Sequence, residues 1–304
     1  RDSSVTGVQT CALPILLAWG WLSFALAAPP LPALGASRHQ LTVSGLSSGA
    51  FMAVQFEFAY SASVSGAGIL AGGPYYCAEG LSTRAVVNCM APTGRDPAPT
   101  VEQQQRWLQR SAERGEVDNP DHLRQHRVWL FSGANDHTVD RGVVDALVAF
   151  YRSRLADGAV RYVQHPEAGH AMISVAEGQA NACPTSEPPF INRCDTLDAA
   201  GELLAHLLGP LAPRTATPRG ELLSFDQRPF ITGSAIDASM GDAGFVYVPQ
   251  ACRSGGCRIH VAYHGCRQGS DTLGDRYAAD AGYNAWADGN RLIVLYPQAR
   301  ARYG

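Results

Sequence analysis

The chain has no excess of positive charge. Its 304 residues carry 24 Lys and Arg against 27 Asp and Glu, a formal charge of -3, so the basic footprint that neutralises phosphates is missing and nucleic acid is excluded as a partner. Charged residues are scarce at 17% against 46% hydrophobic, which excludes a disordered chain and points to a sizeable core. No cysteine pair has Cys-x-x-Cys spacing and no histidine cluster accompanies the cysteines, so a zinc ribbon is not the reading. We expect no metal and no cofactor. There is no repeat at a fixed period and no low-complexity tract beyond Pro-rich stretches. Long apolar runs are also wanting: Leu16 to Ala27, LLAWGWLSFALA, is too short to span a bilayer, and no stable membrane insertion is expected.

What that run does resemble is a secretory leader, because Ala25-Leu26-Ala27 offers a small-x-small cleavage site. A buried helix of the mature domain is the rival reading, and Pro29, Pro30 and Pro32 directly behind it speak against it. Ahead of it, Val5 to Ile15 reads as a translated sequencing adapter, which sets Cys11 aside as foreign. The expected organisation is therefore 1–15 as artefact, 16–38 as leader remnant and Pro-rich lead, and 39–304 as one catalytic domain. Cysteine usage agrees with export. Six cysteines fall into three close pairs, for which we predict Cys77–Cys89, Cys183–Cys194 and Cys252–Cys257 disulfides, although six cysteines allow 15 connectivities.

From His39 the pattern alternates. Strands are predicted over His39 to Ser44, Val64 to Ala71, Arg127 to Ser132, Ala159 to Gln164, Phe245 to Val248, Arg258 to Tyr263 and Arg291 to Tyr296. Helices are predicted over Ala50 to Tyr60, Thr100 to Arg114, Asp140 to Leu155, Thr196 to Leu208 and Thr272 to Asp288, with Cys77 to Arg95 an irregular excursion and Pro210 to Gly220 a connector. Strands alternating with helices argue an α/β protein with a mostly parallel sheet.

Between the first strand and the first helix stands Gly45-Leu46-Ser47-Ser48-Gly49, a Gly-x-Ser-x-Gly pentapeptide in the context of a nucleophile elbow. Alone it is weak evidence, since glycine and serine are common here. A serine that cleaves esters needs a histidine base and a carboxylate to orient it, and Asp136 and His170 follow Ser47 in the order Ser, Asp, His, each in a loop just after a strand. Asp140 competes with Asp136 but is explained as a helix N-cap. His165 and His137 compete with His170, whose preceding Gly169 gives the freer approach. One oxyanion donor should be the N–H of Ser48, and the other normally comes from a loop beginning His-Gly after an earlier strand. His264-Gly265-Cys266 matches that loop but lies on the far side of the triad, so either the match is accidental or the chain is circularly permuted.

Ser44-Gly45-Leu46-Ser47-Ser48-Gly49, Ala71-Gly72-Gly73-Pro74-Tyr75, the Asp136 and His170 loops, Val246-Tyr247-Val248-Pro249, His264-Gly265-Cys266 and Leu295-Tyr296-Pro297-Gln298 resemble, in this order, the extracellular polyhydroxybutyrate depolymerases with a circularly permuted α/β-hydrolase domain. The resemblance runs from about His39 to Ala299. It implies a secreted serine esterase, extracellular or periplasmic, that cuts poly[(R)-3-hydroxybutyrate] and its oligomers through an acyl-enzyme. By that likeness Ser47 is the nucleophile, Asp136 and His170 complete the triad, and the N–H groups of Ser48 and Cys266 form the oxyanion hole. The three cysteine pairs match the family's local disulfides. The family continues into a Gly-Cys-Trp segment whose cysteine would pair Cys266, so we expect Cys266 unpaired and the domain cut short here. A monomer acting on a polyester or oligoester is expected. Tyr75, Tyr76 and Phe51 are candidate polymer contacts, each also readable as core. Two other functions stand beside this one: an esterase of soluble short-chain, feruloyl or acetyl esters, and a non-catalytic binding protein on the same fold.

Overall fold

A computed structural model describes residues 28–176, 178–235 and 238–300; the adapter-like stretch, Cys11 and the leader run lie outside them. Eleven strands are formed: β1 (Leu41–Leu46), β2 (Val64–Leu70), β3 (Arg127–Gly133), β4 (Val160–His165), β5 (Met172–Ile173), β6 (Asn181–Ala182), β7 (Ile191–Arg193), β8 (Glu221–Asp226), β9 (Ala243–Val248), β10 (Arg258–Tyr263) and β11 (Leu292–Tyr296). Between them come α1 (Ser48–Ala59), α2 (Ser82–Val87), α3 (Val101–Glu113), α4 (Arg141–Arg152), α5 (Ala199–Leu208), α6 (Ser270–Leu273), α7 (Arg276–Asp280) and α8 (Tyr283–Gly289).

Eight strands build one sheet in the order β4-β3-β2-β1-β10-β11-β9-β8. From β4 to β11 every neighbour is parallel; β9 alone runs against its two neighbours. Parallel strands need both faces covered, and the runs oblige: β3 is buried along its length after Arg127, and β1 after Leu41. The strand leading into the elbow is first in the chain, and the strand leading into His264-Gly265-Cys266 is the tenth, yet they are neighbours at the middle of the sheet. This is an α/β-hydrolase sheet with a circularly permuted chain.

One expectation is corrected, and two features of the sheets carry no sequence prediction. Thr272 to Asp288 is not one helix but α6, α7 and α8, because Gly274 and Gly282 take φ of +63° and +95° and end the helical geometry. β8 went unread because its sequence, ELLSFD, lies at the sheet edge with only Phe225 fully buried and no clean alternation. The small sheet β5-β7-β6 has strands of two or three residues, too short to carry a period. Capping agrees better: Thr100 and Gln103 form a reciprocal capping box on α3, and the Asp140 carboxylate accepts the Gly142 N–H at 2.7 Å to start α4.

One buried acid has no counterpart in the helix pattern. Glu57 on α1 is fully buried among core residues. Its Oε1 lies 2.9 Å from His126 Nδ1 and its Oε2 accepts from the Tyr151 hydroxyl at 2.5 Å. His126 Nε2 lies 3.1 Å from the Ser61 carbonyl. Both ring nitrogens thus face acceptors, so the imidazolium is the form whose protons are all used. Burial alone would lower the His126 pKa, but the Glu57 hydrogen bond and charge outweigh it and hold it above the ordinary 6.5. A raised native pKa stabilises below the unfolded value, and that stabilisation is lost as pH rises through the native one. In urea titrations the unfolding free energy is expected to carry a component that declines from about pH 6.5 upward, and His126→Gln removes it; an unchanged slope in the variant would place the pH dependence elsewhere.

Candidate active site

The elbow is built by close approach. A Cβ on Gly45 would collide with the backbone of Gly49 and Ala50, so glycine lets β1 run into α1 without a gap. Gly49 serves a different neighbour from the one the sequence suggests: a Cβ there would strike the carbonyls of Tyr263 and His264 at the end of β10. Between them Ser47 sits at φ 56°, ψ -124°, a conformation that costs a non-glycine residue about 1–3 kcal/mol. The Ser47 N–H donates to the Leu70 carbonyl at 2.9 Å, and the Ser47 carbonyl accepts from Phe51 at 3.0 Å, which holds the turn.

Asp136 and His170 come from the loops after β3 and β4, stitched together by Ala134 N–H to the His165 carbonyl at 2.8 Å and Asn135 N–H to the Ala168 carbonyl at 3.0 Å. Asp136 Oδ1 accepts from the Thr138 and Val139 N–H groups at 2.8 and 3.0 Å. Its Oδ2 lies 2.8 Å from His170 Nδ1. A carboxylate can only accept, so Nδ1 carries the proton and Nε2 is left as a base. The His170 N–H donates to Ser186 Oγ at 2.9 Å, a contact from inside the Cys183–Cys194 loop. Ser47 and His170 line the same cavity of about 640 Å³ and make no direct hydrogen bond with each other.

The His264-Gly265-Cys266 loop closes the other side. A Cβ on Gly265 would stand 3.4 Å from that of Ser47, so the loop touches the elbow. Ser48 and Cys266 both border the cavity, and neither backbone N–H is taken by another backbone carbonyl. His264 fixes the loop: Nδ1 donates to the Gly265 carbonyl at 2.8 Å and Nε2 accepts the Ala299 N–H at 3.0 Å, a neutral tautomer, and burial lowers its pKa. Together these groups can deprotonate a hydroxyl and receive an oxyanion, the requirements of acyl transfer.

The competitors are placed apart. Asp140 caps α4, and neither His137 nor His165 borders the cavity; His165 lies instead beside Cys183, with its Nδ1 accepting the Glu167 N–H at 3.2 Å. Among the described residues His165, Cys183 and Cys194 are a grouping of metal-binding types, and the two cysteines are spent on a disulfide. Cys77–Cys89 and Cys252–Cys257 are likewise joined, and Cys266 is free and exposed. Phe51 and Tyr76 face the cavity; Tyr75 does not, being packed on Phe58 with its hydroxyl donating to Ser111 at 3.0 Å. The excursion Cys77–Cys89 forms a cavity wall, a role its irregular sequence did not signal.

No protein-family profile matches the chain. It is 43% identical over 279 residues to a poly(3-hydroxybutyrate) depolymerase of Delftia acidovorans, covering 90% of this chain and 54% of the relative. The chain thus spans about half the length of that protein. It is 35% identical over 283 residues to a polyhydroxybutyrate depolymerase of Talaromyces funiculosus, covering 91% of this chain and 80% of the relative. Among solved structures, a serine-to-alanine PHB depolymerase complexed with an (R)-3-hydroxybutyrate trimer superposes with a TM-score of 0.78 at 32% identity, over 89% of this chain and 82% of that one. The PHB depolymerase from Penicillium funiculosum gives 0.77 at 33% identity, over 90% and 82%.

One residue holding the site was not found from sequence. Gln268 is 1% exposed; its Oε1 accepts the Gly265 N–H at 2.8 Å, and its Nε2 donates to the carbonyls of Pro189 and Phe190 at 2.9 and 3.1 Å. It ties the His264–Cys266 turn to the loop carrying Phe190. The only hint was its place two residues after Cys266. Gln268→Leu strands these buried groups, and chemical denaturation should register a loss of about 3 kcal/mol. Gln105→Leu, exposed on α3, should change stability little.

Proposed function

Because this chain belongs to the polyhydroxybutyrate depolymerase family, we propose that it is a secreted serine esterase hydrolysing poly[(R)-3-hydroxybutyrate] and its oligomers. The observation that carries the reading is one cavity bordered by Ser47, by the His170 side of the Asp136 pair, and by two N–H groups free of backbone partners. Ser47 Oγ attacks the ester carbonyl while His170 Nε2 takes its proton. The carbonyl oxygen becomes an oxyanion held by the N–H groups of Ser48 and Cys266. Collapse breaks the ester bond; His170 returns the proton to the leaving alcohol, and the acyl group stays on Ser47. Water, deprotonated by the same nitrogen, then releases the acid. Asp136 keeps the ring in the working tautomer and stabilises the imidazolium.

Export is part of the reading, supported by three disulfides, which persist in oxidising compartments. Among the described residues no helix is long and apolar enough to cross a membrane. One copy of the chain supplies every group in the scheme, so the reading is of a monomer.

The test is clearing of a polyhydroxybutyrate suspension by protein made in an oxidising compartment, run beside soluble short-chain and feruloyl esters. Clearing is expected, and Ser47→Ala should lower turnover on the order of 10⁶-fold with the fold kept by circular dichroism. Asp136→Asn should lower it about 10⁴-fold through the wrong tautomer. Turnover of soluble esters without clearing would move the assignment to a small-ester esterase, and full activity in Ser47→Ala would end the triad reading.

A further inference from the structure

The cavity wall carries two formally charged side chains, Glu79 and Arg267, and only Glu79 is neutralised, by an ion pair with Arg84. Arg267 is exposed at the cavity edge and makes no ion pair with any described residue. Asp271 borders the adjoining cavity with it but is not its partner. The guanidinium is nonetheless placed: it stands over the Phe190 ring, 5.7 Å from the centroid, and Phe190 lines the same cavity. The backbone of Arg267 is held at φ 62°, in the left-handed region a side chain normally avoids. Gln268 and His264 pin the turn on either side. A strained, stacked, unpaired cation at the mouth of an otherwise mostly apolar cavity has the form of an anion subsite.

The chemistry of a polyester chain supplies one anion and one only. Each oligomer ends in a hydroxyl at one terminus and a carboxylate at the other. We propose that Arg267 binds the free carboxylate terminus of an oligoester, so that acid-terminated chains are cut with the acid end seated beside Cys266. The inference rests on the ester-hydrolase reading. In the cut ester the acyl part transferred to Ser47 carries the hydroxyl end, and the carboxylate belongs to the leaving alcohol. Arg267 therefore grips the leaving fragment, and its preference appears in short oligomers, where every ester lies near an acid end. In long polymer the terminus is rare and the preference fades.

The experiment compares the (R)-3-hydroxybutyrate trimer as free acid with its methyl ester, at low ionic strength, for the wild-type chain and Arg267→Gln. The wild type should favour the acid, and the acid-to-methyl-ester ratio of kcat/KM should fall about tenfold in the variant, equivalent to about 1.4 kcal/mol. The effect should sit mainly in KM and should shrink as salt is added. A ratio that does not move in Arg267→Gln, or equal losses on both substrates, would overturn the subsite and leave Arg267 a packing partner of Phe190. A wild type that clears polyhydroxybutyrate but hydrolyses neither trimer would overturn the subsite alone, and one that does neither would overturn the esterase reading and the subsite with it.

Discussion

The parallel pairing of β1 with β10 is the contact on which the site depends. Its register sets Thr42 against His260 and Gly45 against Tyr263, so the two strands run out together at the elbow and at the His264 turn. These segments are more than two hundred residues apart in the chain, and no local turn could align them. What fixes the register is a buried polar bracket. His260 Nδ1 lies 2.8 Å from Thr42 Oγ1 and Nε2 lies 2.7 Å from Ser44 Oγ, which in turn meets the Tyr283 hydroxyl at 2.7 Å. Burial pushes the His260 pKa down to about 3, so the ring is neutral and each nitrogen can share one proton with a hydroxyl. Sliding β10 by one residue would turn His260 to the opposite face and strand three buried hydroxyls, so slippage is opposed by more than lost apolar contact. The His264-Gly265-Cys266 side of the cavity inherits its position from this bracket.

The Asp136–His170 side is assembled differently. Asp136 and His170 stand on loops after adjacent strands, and the loops are joined by their own backbone hydrogen bonds and anchored in the core through Val139 and Ala168. The Cys183–Cys194 disulfide closes the segment that bears Ser186, the acceptor of the His170 N–H. Gln268 then spans from this side to the His264 turn by way of the Pro189 and Phe190 carbonyls. Two halves positioned by different means are thus tied by a buried amide. Ser47 can tolerate its strained backbone because the strand before it and the helix after it are fixed by packing.

What was legible in the sequence was what is local. Gly45 and Ser47 announce an elbow because each does its work within the pentapeptide or against the backbone beside it, whereas Gly49 is read correctly but packs against the distant end of β10. The convergence of the Ser47, Asp136 and His170 segments was readable because loops after parallel strands gather at one sheet end. The central strands were readable because burial on both faces leaves continuous apolar runs. Residues whose partners are distant left no such mark. Glu57 looks like a surface acid on a helix until His126 and Tyr151 arrive from other elements. Ser186 and Gln268 are ordinary polar residues whose meaning comes from the backbone groups they reach. Tyr75 and Tyr76, adjacent in sequence, take opposite roles, one packed against Phe58 and one at the cavity, and nothing in the pair of letters separates them.

The cavity wall between Cys77 and Cys89 shows why cysteines were informative where periodicity was not. Its helix α2 buries none of its residues, and Leu81, Val86 and Val87 stay 53%, 57% and 38% exposed. A segment with so little to bury gains little from the hydrophobic effect, and six helical residues are too few to be stable alone. The wall is placed instead by the bond between its ends, whose two cysteines are themselves buried, only 3% and 4% exposed. Closing a loop of this length contributes about 3 kcal/mol by restricting the unfolded chain. A covalent tie at the rim and a hydrogen-bonded bracket at the centre thus do for the site what core packing does for the sheet. The apolar surface left on the wall is the consequence, since a segment held by its ends has no need to turn those side chains inward.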